Sequence, residues 1–150
     1  MRITTWAEYG LIVTLHLARR KGGGPIAARS LAEEERLPAD YVEQILLKLR
    51  RAGLVNSARG AHGGYRLARD PAEVTVCDVV RAAEDHTFEI NCDVRPIDAV
   101  RCAPASGCAI RPVWQAVQRR VDDLLQRISL ADLLSDAAAV EDVLMPTVRH

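Results

Sequence analysis

Several common sequence signals are missing from this 150-residue chain. Aromatic residues make up only 4% of it, and its longest mainly apolar stretch, residues 11–18, is interrupted by Thr14 and His16. That stretch is too short to span a bilayer, so we expect no association with a membrane. No basic and then apolar leader opens the sequence, and we therefore expect the protein to reside in the cytoplasm.

Signatures of catalysis are missing as well. The glycines at 22–24 are not followed by the Lys and Ser or Thr of a phosphate-binding loop, and no Gly-x-Gly-x-x-Gly or Ser/His/Asp arrangement occurs. We therefore predict that the protein is not an enzyme. The hydrophobic fraction of 49% and the charged fraction of 27% are ordinary for a folded domain, which excludes wholesale disorder.

The net charge of zero conceals an uneven distribution of charged residues. Residues 1–66 hold 11 Lys and Arg against 6 Asp and Glu, a net charge of +5, whereas residues 67–150 hold 9 against 14, a net charge of −5. A basic first half indicates contact with a polyanion.

Three short helices are predicted in the first half. Their starts are suggested by pairs with capping-box spacing: Thr5 with Glu8, Ser30 with Glu33, and Asp40 with Glu43. Breaks follow at residues 22–25, 37–38 and 53. This order is typical of a helix-turn-helix unit.

A β-hairpin is predicted after the third helix. Two short extended runs, residues 54–58 and 65–67, flank a loop that contains Gly60, Gly63 and Gly64. The expected fold is therefore mainly α, a winged helix-turn-helix domain with a small β-hairpin wing. A further short helix is predicted at residues 76–84.

The third helix and the wing supply candidate DNA-binding residues. An α-helix fits the major groove, where Gln can pair with adenine and Glu can accept from cytosine. The candidates are Tyr41, Glu43, Gln44 and Lys48 for base edges, Arg50 and Arg51 for phosphates, and Arg59 at the hairpin tip for a minor groove. The alternative is that these are ordinary solvated surface residues; as an assembly they favour DNA binding.

Three of the four cysteines lie in one segment, residues 92–108, which we call the cysteine loop. Cys92, Cys102 and Cys108 are spaced C-x9-C-x5-C. Clustered cysteines in a cytosolic chain indicate metal or redox chemistry. The paired C-x2–4-C spacing usual for zinc is absent, which favours an iron–sulfur cluster. A zinc-stabilised interaction protein and a cluster-free regulator with redox-active thiols remain as alternatives.

The sequence contains one further cysteine and five other possible ligands for a metal centre in this loop. Cys77 falls in the predicted helix at 76–84 and is expected to be a small buried hydrophobe. Three thiolates leave a fourth ligand position, and the candidates for it within the chain are Glu8, Asp93, Asp98, His62 and His86. Glu8 has a competing role as the partner of Thr5 in a capping box.

A long amphipathic helix is predicted after the cysteine loop, with Pro112 in its first turn. Its apolar stripe comprises Val113, Trp114, Val117, Val121, Leu124, Leu125 and Ile128. Because this helix lies beyond the winged-helix unit, a subunit interface is favoured over core packing. We expect a winged-helix domain at residues 1–70, a linking helix and cysteine-rich loop at 71–109, a dimerisation helix at 110–130, and a short helix and tail at 131–150.

Several motifs together resemble those of the Rrf2 family of iron–sulfur winged-helix transcription regulators, typified by IscR and NsrR. They are the opening Met-Arg-Ile-Thr and the runs at residues 41–46, 49–55 and 59–65. The resemblance covers nearly the whole chain. It implies a homodimer with cross-paired long helices and a palindromic double-stranded DNA target. It also implies a third helix in the major groove and a wing arginine in the minor groove, roles that fall on Glu43, Gln44 and Arg59.

The resemblance also bears on the cluster. IscR-like members space their cysteines by five and five and place a His three residues after the last one, where this chain has Arg111. Other branches of the family use three cysteines with an N-terminal carboxylate from the partner subunit, and Glu8 matches its position. The resemblance thus implies a cluster on Cys92, Cys102, Cys108 and Glu8, with a 4Fe–4S cluster favoured and a 2Fe–2S cluster as the alternative. Its state would control DNA affinity in response to redox state, nitric oxide or iron.

Overall fold

The computed structural model describes residues 3–84, 90–103 and 107–145. The helices are α1 (Thr5–Arg19), α2 (Ala28–Glu35), α3 (Ala39–Arg51), α4 (Val76–Glu84), α5 (Asn91–Val94), α6 (Ile110–Gln126), α7 (Leu130–Ser135) and α8 (Ala137–Leu144). Strands β1 (Val55–Ala58) and β2 (Gly64–Leu67) form an antiparallel hairpin in which Val55 pairs with Leu67 and Ala58 with Gly64. A 3-10 turn at Pro71–Glu73 connects the hairpin to α4.

The predicted winged-helix class is confirmed. Three helices are followed by a two-stranded hairpin, and the helix predicted at residues 76–84 forms as α4. Two elements were not predicted: α5, a short helix that carries Cys92, and α8, which follows α7 in the region expected to be a tail. His86 and the last residues of the chain, from 146 onward, lie outside the described residues.

The three predicted capping boxes are not formed. Helix α1 is capped by Thr4, whose side chain accepts from the backbone N–H of Ala7, so the pairing of Thr5 with Glu8 was wrong. Helix α2 begins at Ala28 rather than Ser30, and α3 begins at Ala39 after Pro38; neither has a side-chain cap. Capping-box spacing occurs readily by chance in charged helices, and the observed N-cap residues Thr4, Ala27 and Pro38 precede the predicted ones by one, three and two residues.

One hydrophobic core joins the first three helices to the hairpin and α7. Its fully buried members include Val13, Leu31, Ile45, Leu49 and Leu130. On α3 the buried side chains are Val42, Ile45, Leu46 and Leu49, at helical spacing, which leaves the opposite face of this helix toward solvent. The core thereby fixes which side of α3 can meet a partner.

The hairpin is fastened to the chain segment between α1 and α2. Ile26 and Tyr65 exchange two backbone hydrogen bonds, with N···O distances of 3.0 and 2.8 Å. Gly64, at φ +144°, makes this approach feasible, because a Cβ there would lie 2.2 Å from the carbonyl oxygen of Ile26. Strand β2 is therefore held in place at the end of the hairpin that leads to the loop.

A smaller cluster joins α1, α4 and the end of α6. Ala7, Val76, Val80 and Ile128 are buried in it, with Leu125 partly buried alongside. The backbone of residues 74–76 also pairs with that of residues 128–130. No helix within the described ranges combines the length and hydrophobicity that a bilayer crossing requires.

Candidate nucleic-acid interface and cysteine loop

The solvent face of α3 presents three adjacent side chains in its central part. Glu43, Gln44 and Leu47 are exposed, and their spacing places them on one side of the helix. Glu43 and Gln44 were predicted as base-reading residues. Leu47 was not predicted, although its position three residues after Gln44 indicates the same side of the helix. An apolar side chain there can contact a thymine methyl group.

Tyr41 and Lys48, the other two predicted base-reading residues, make contacts inside the chain. The Tyr41 ring lies 5.1 Å from that of Trp6 and 5.8 Å, edge-on, from that of Tyr9, centroid to centroid. The Lys48 Nζ donates a hydrogen bond of 2.7 Å to the carbonyl oxygen of Ala83 and lies 4.9 Å from the centre of the Trp6 ring. Lys48 is partly buried by its contacts, whereas Tyr41 remains 40% exposed despite its ring contacts, an exposure similar to that of Leu47.

The end of α3 is basic. Arg50 and Arg51 occupy its last turn and are exposed. Cations there are favoured by the partial negative charge of the helix C-terminus, and arginine is a residue type that commonly contacts DNA phosphates.

Arg59 follows β1 directly, at the tip of the wing, and is exposed to solvent. The turn after it is tight: a Cβ on Gly63 would lie 2.4 Å from the carbonyl oxygen of Ala58, so this position requires glycine. With β2 held to Ile26 beside this loop, Arg59 projects from a short and constrained loop, a geometry suited to insertion into a groove.

The three cysteines of the cysteine loop are partly buried free thiols, whereas Cys77 is completely buried in α4. Burial raises the pKa of the Cys77 thiol, which confirms the prediction that it is a structural hydrophobe. Backbone N–H groups of Arg111 and Ile110, in the first turn of α6, instead lower the pKa of the Cys108 thiol.

Arg111, in the first turn of α6, makes several contacts with the cysteine loop. One of its terminal nitrogens donates to the backbone carbonyls of Cys102, at 2.5 Å, and Cys92, at 3.4 Å, while its Nε lies 3.7 Å from a carboxylate oxygen of Asp93. The sequence showed only that a His was replaced at this position. The structure adds that the arginine connects two of the three cysteine-bearing segments.

Glu8 is exposed on the first turn of α1, and its carboxylate makes no hydrogen bond or ion pair with the described residues. Glu8 therefore does not form the predicted capping box with Thr5, and that alternative to a ligand role is excluded. Within residues 3–84, 90–103 and 107–145, no group of three or more His, Cys, Asp or Glu side chains is arranged to hold a metal ion. The thiols suit an iron–sulfur cluster chemically. However, the described donors of a single chain do not form the complete set.

Helix α6 leaves much of its apolar stripe uncovered. None of its side chains is buried, and the most exposed large hydrophobic ones are Ile110 (58%), Val113 (56%), Trp114 (44%) and Leu124 (40%). Leu125 and Ile128, at the other end of the predicted stripe, pack into the small cluster with α1 and α4. Because monomeric proteins rarely expose such a row, this face has the properties of an interface.

These features define a helical DNA-binding module with a winged helix at its N-terminal end and an uncovered amphipathic helix beyond it. A sequence profile of the Rrf2 family, described as iron-dependent transcriptional regulators, matches residues 3–136. The chain belongs to the Rrf2 family of DNA-binding transcription regulators.

Individual relatives agree with this assignment. The chain is 36% identical over 135 residues to the transcriptional regulator CymR of Bacillus subtilis, covering 90% of this chain and 91% of that protein. The structure of T. potens IscR superposes with a TM-score of 0.70 at 34% identity, covering 98% and 93% of the two chains. The oxidised form of Staphylococcus aureus CymR gives 0.68 at 32% identity, covering 91% and 98%.

Proposed function

We propose that this protein is a sequence-specific DNA-binding regulator, active in the cytoplasm as a homodimer, whose DNA affinity is controlled by the chemical state of its cysteine loop. The observation that carries the proposal is the pairing of a solvent-facing recognition surface on α3 with three accessible thiols in one loop. Its relatives are transcription regulators, and we propose no catalytic activity for it.

In this proposal the recognition surface reads DNA in two grooves. Glu43 and Gln44 contact base edges in the major groove, where a carboxylate accepts from cytosine and an amide pairs with adenine. Arg50 and Arg51 contact phosphates beside that groove. Arg59 enters a neighbouring minor groove, where negative potential attracts a guanidinium.

The second subunit is recruited through α6. The exposed side chains of Val113, Trp114 and Leu124 would be covered by the same helix of another copy. Two identical DNA-binding units related by a two-fold axis read a palindromic site, so we propose a palindromic target.

We propose that Cys92, Cys102 and Cys108 hold an iron–sulfur cluster, with Glu8 of the other subunit as the fourth ligand and a four-iron cluster favoured over a two-iron one. Such a cluster supplies a centre that responds to oxidants, nitric oxide or iron supply. The described residues support this with accessible thiols, with an N-terminal α6 turn that favours the Cys108 thiolate, and with a Glu8 carboxylate that has no partner among them. A carboxylate is a hard ligand at a soft site and should leave readily, which suits a sensor.

A second candidate has support of its own. Backbone N–H groups of Arg111 and Ile110 lower the pKa of the Cys108 thiol, which favours its thiolate form without any metal, and relatives named CymR include a structure solved in an oxidised form. Direct thiol oxidation would then replace cluster chemistry as the signal. The visible absorption spectrum of protein purified without oxygen separates the two, since only an iron–sulfur cluster absorbs strongly there.

DNA recognition is tested by selecting binding sites from random duplex DNA with the anaerobically purified protein and with oxidised protein. We expect a palindromic site to be enriched by at least one form. The Gln44→Ala variant should then lose base preference at one position of each half-site. Absence of any sequence preference in both forms would refute the proposed function.

A further inference from the structure

Lys48 lies on the side of the recognition helix that faces the body of the protein. It is partly buried, its Nζ donates to the carbonyl oxygen of Ala83, and its cation lies over the face of Trp6. Ala83 is in the last turn of α4, where carbonyl groups have no partner within the helix. A side chain of the DNA-reading helix therefore completes the end of another helix.

The neighbouring residue, Glu84, fastens the same helix end to α1. Its carboxylate accepts from the Thr4 hydroxyl and, at 3.1 Å, from the backbone N–H of Ala7. Glu84 thus shares the capping of α1 with Thr4. The end of α4, the start of α1 and the recognition helix meet through two adjacent residues, Ala83 and Glu84.

This junction lies between the two parts of the protein that the proposed function must connect. Residues 83 and 84 are the last described residues before the segment that leads to Cys92. Glu8, the proposed ligand from the other subunit, stands one turn along α1 from Thr4. A change at the first turn of α1 therefore reaches, through Glu84, the end of α4 to which Lys48 is attached.

We propose that Lys48 is the positioning residue that couples the cysteine loop to the recognition helix, and not a DNA contact. Its hydrogen bond to Ala83 holds α3 at a fixed place relative to the end of α4. The inference rests on the proposed regulation of DNA affinity by the thiols. When the state of the loop shifts the end of α4, this bond transfers the shift to the surface formed by Glu43 and Gln44. Such coupling is measured as the ratio of the DNA affinities of the protein in the two states of the cysteine loop.

The alternative role makes a different prediction. A lysine that contacts a phosphate contributes equally in both states, so its loss weakens binding by one factor throughout. If Lys48 instead couples the cysteine loop to the recognition helix, its loss changes the ratio of the DNA affinities in the two states of the loop. Arg50, exposed two residues later on the same helix, is a matched control because it is proposed as a phosphate contact.

The test compares wild type, Lys48→Met, Lys48→Arg and Arg50→Met. For each, the Kd for the selected site is measured with protein purified without oxygen and with the same protein after treatment with diamide and EDTA. Methionine keeps an aliphatic chain over Trp6 but cannot donate to Ala83, whereas arginine can do both. Thermal unfolding of each variant establishes that it is folded at the assay temperature.

We expect the wild-type Kd to differ between the two states by about 5-fold or more. In Lys48→Met this ratio should fall toward one, and Lys48→Arg should restore most of it. Arg50→Met should weaken both states alike and keep the ratio. A Lys48→Met protein that behaves as Arg50→Met does would overturn the inference while leaving the proposed function intact. A wild type with equal affinities in the two states would refute the proposed regulation, and the inference with it.

Discussion

Arg111 donates a hydrogen bond of 2.5 Å to the backbone carbonyl of Cys102, so a residue of α6 fixes the middle cysteine of the loop. The same nitrogen reaches the carbonyl of Cys92 at 3.4 Å. An arginine cannot ligate a metal through these donors, but it can hold the loop that carries the ligands.

Replacing Arg111 by Ala should therefore loosen the cysteine loop. In reduced, metal-free protein we expect Cys92 and Cys102 to be alkylated by iodoacetamide severalfold faster than in wild type, because two carbonyl contacts are lost. Mass spectrometry of the labelled peptides measures each site. Arg95→Ala, an exposed change in the same loop, is the control. Equal rates in the two variants would show that Arg111 does not organise the loop.

Glu8→Gln should change the cluster without weakening the fold. Because the Glu8 carboxylate is exposed and makes no bond with the described residues, its loss should cost about 0.5 kcal/mol or less of unfolding free energy. As a ligand, however, its replacement should alter the visible spectrum of the anaerobic protein and speed bleaching in air. Glu73→Gln, also exposed, is the control. An unaltered spectrum and lifetime in Glu8→Gln would remove Glu8 from the ligand set.

Arg59→Ala should weaken binding to the selected DNA by about 1–3 kcal/mol, because the wing loses its guanidinium in the minor groove. Fluorescence anisotropy with a labelled duplex measures the change, and the salt dependence of Kd should become shallower. Arg127→Ala, an exposed arginine at the end of α6, tests for a general charge effect. If both variants lost the same affinity, the wing would have no specific role.

Leu124→Arg should convert the proposed dimer to a monomer. It places a cation on the uncovered stripe of α6, where burial against a second copy would desolvate the charge. Light scattering after size-exclusion chromatography measures the mass, and affinity for the palindrome should fall because only one half-site is held at a time. Arg119→Ala, exposed on the same helix, should remain dimeric. A Leu124→Arg protein that stays dimeric would place the interface elsewhere.

Much of the fold was predictable because its signals are local. Glycine and proline breaks separated the helices, and the glycines of the wing marked the hairpin. Helix starts were less predictable. Thr4 and Glu84 cap α1 together although they are far apart in the sequence, and no local pattern contains that information. Helix α3 begins directly after Pro38 without a side-chain cap, rather than at a capping box on Asp40.

The candidate site was predictable as a set of residue types but not as an arrangement. Glu43 and Gln44 were predicted because they lie on the third helix and their side chains can pair with bases, and Leu47 was missed because an apolar residue is usually counted as core. Lys48 was assigned to DNA because it is a cation on the third helix. Its actual partner, the carbonyl of Ala83, is a backbone group with no sequence signature.

The central claim is that the state of Cys92, Cys102 and Cys108 controls DNA affinity. The most direct measurement is the Kd for the selected site before and after treatment with diamide and EDTA, in wild type and in the variant with all three cysteines changed to Ala. The account predicts a clear change in wild type and none in the triple variant, with Cys77→Ala behaving as wild type because that thiol is buried. A wild-type affinity that does not respond, or a triple variant that responds as wild type does, would contradict it.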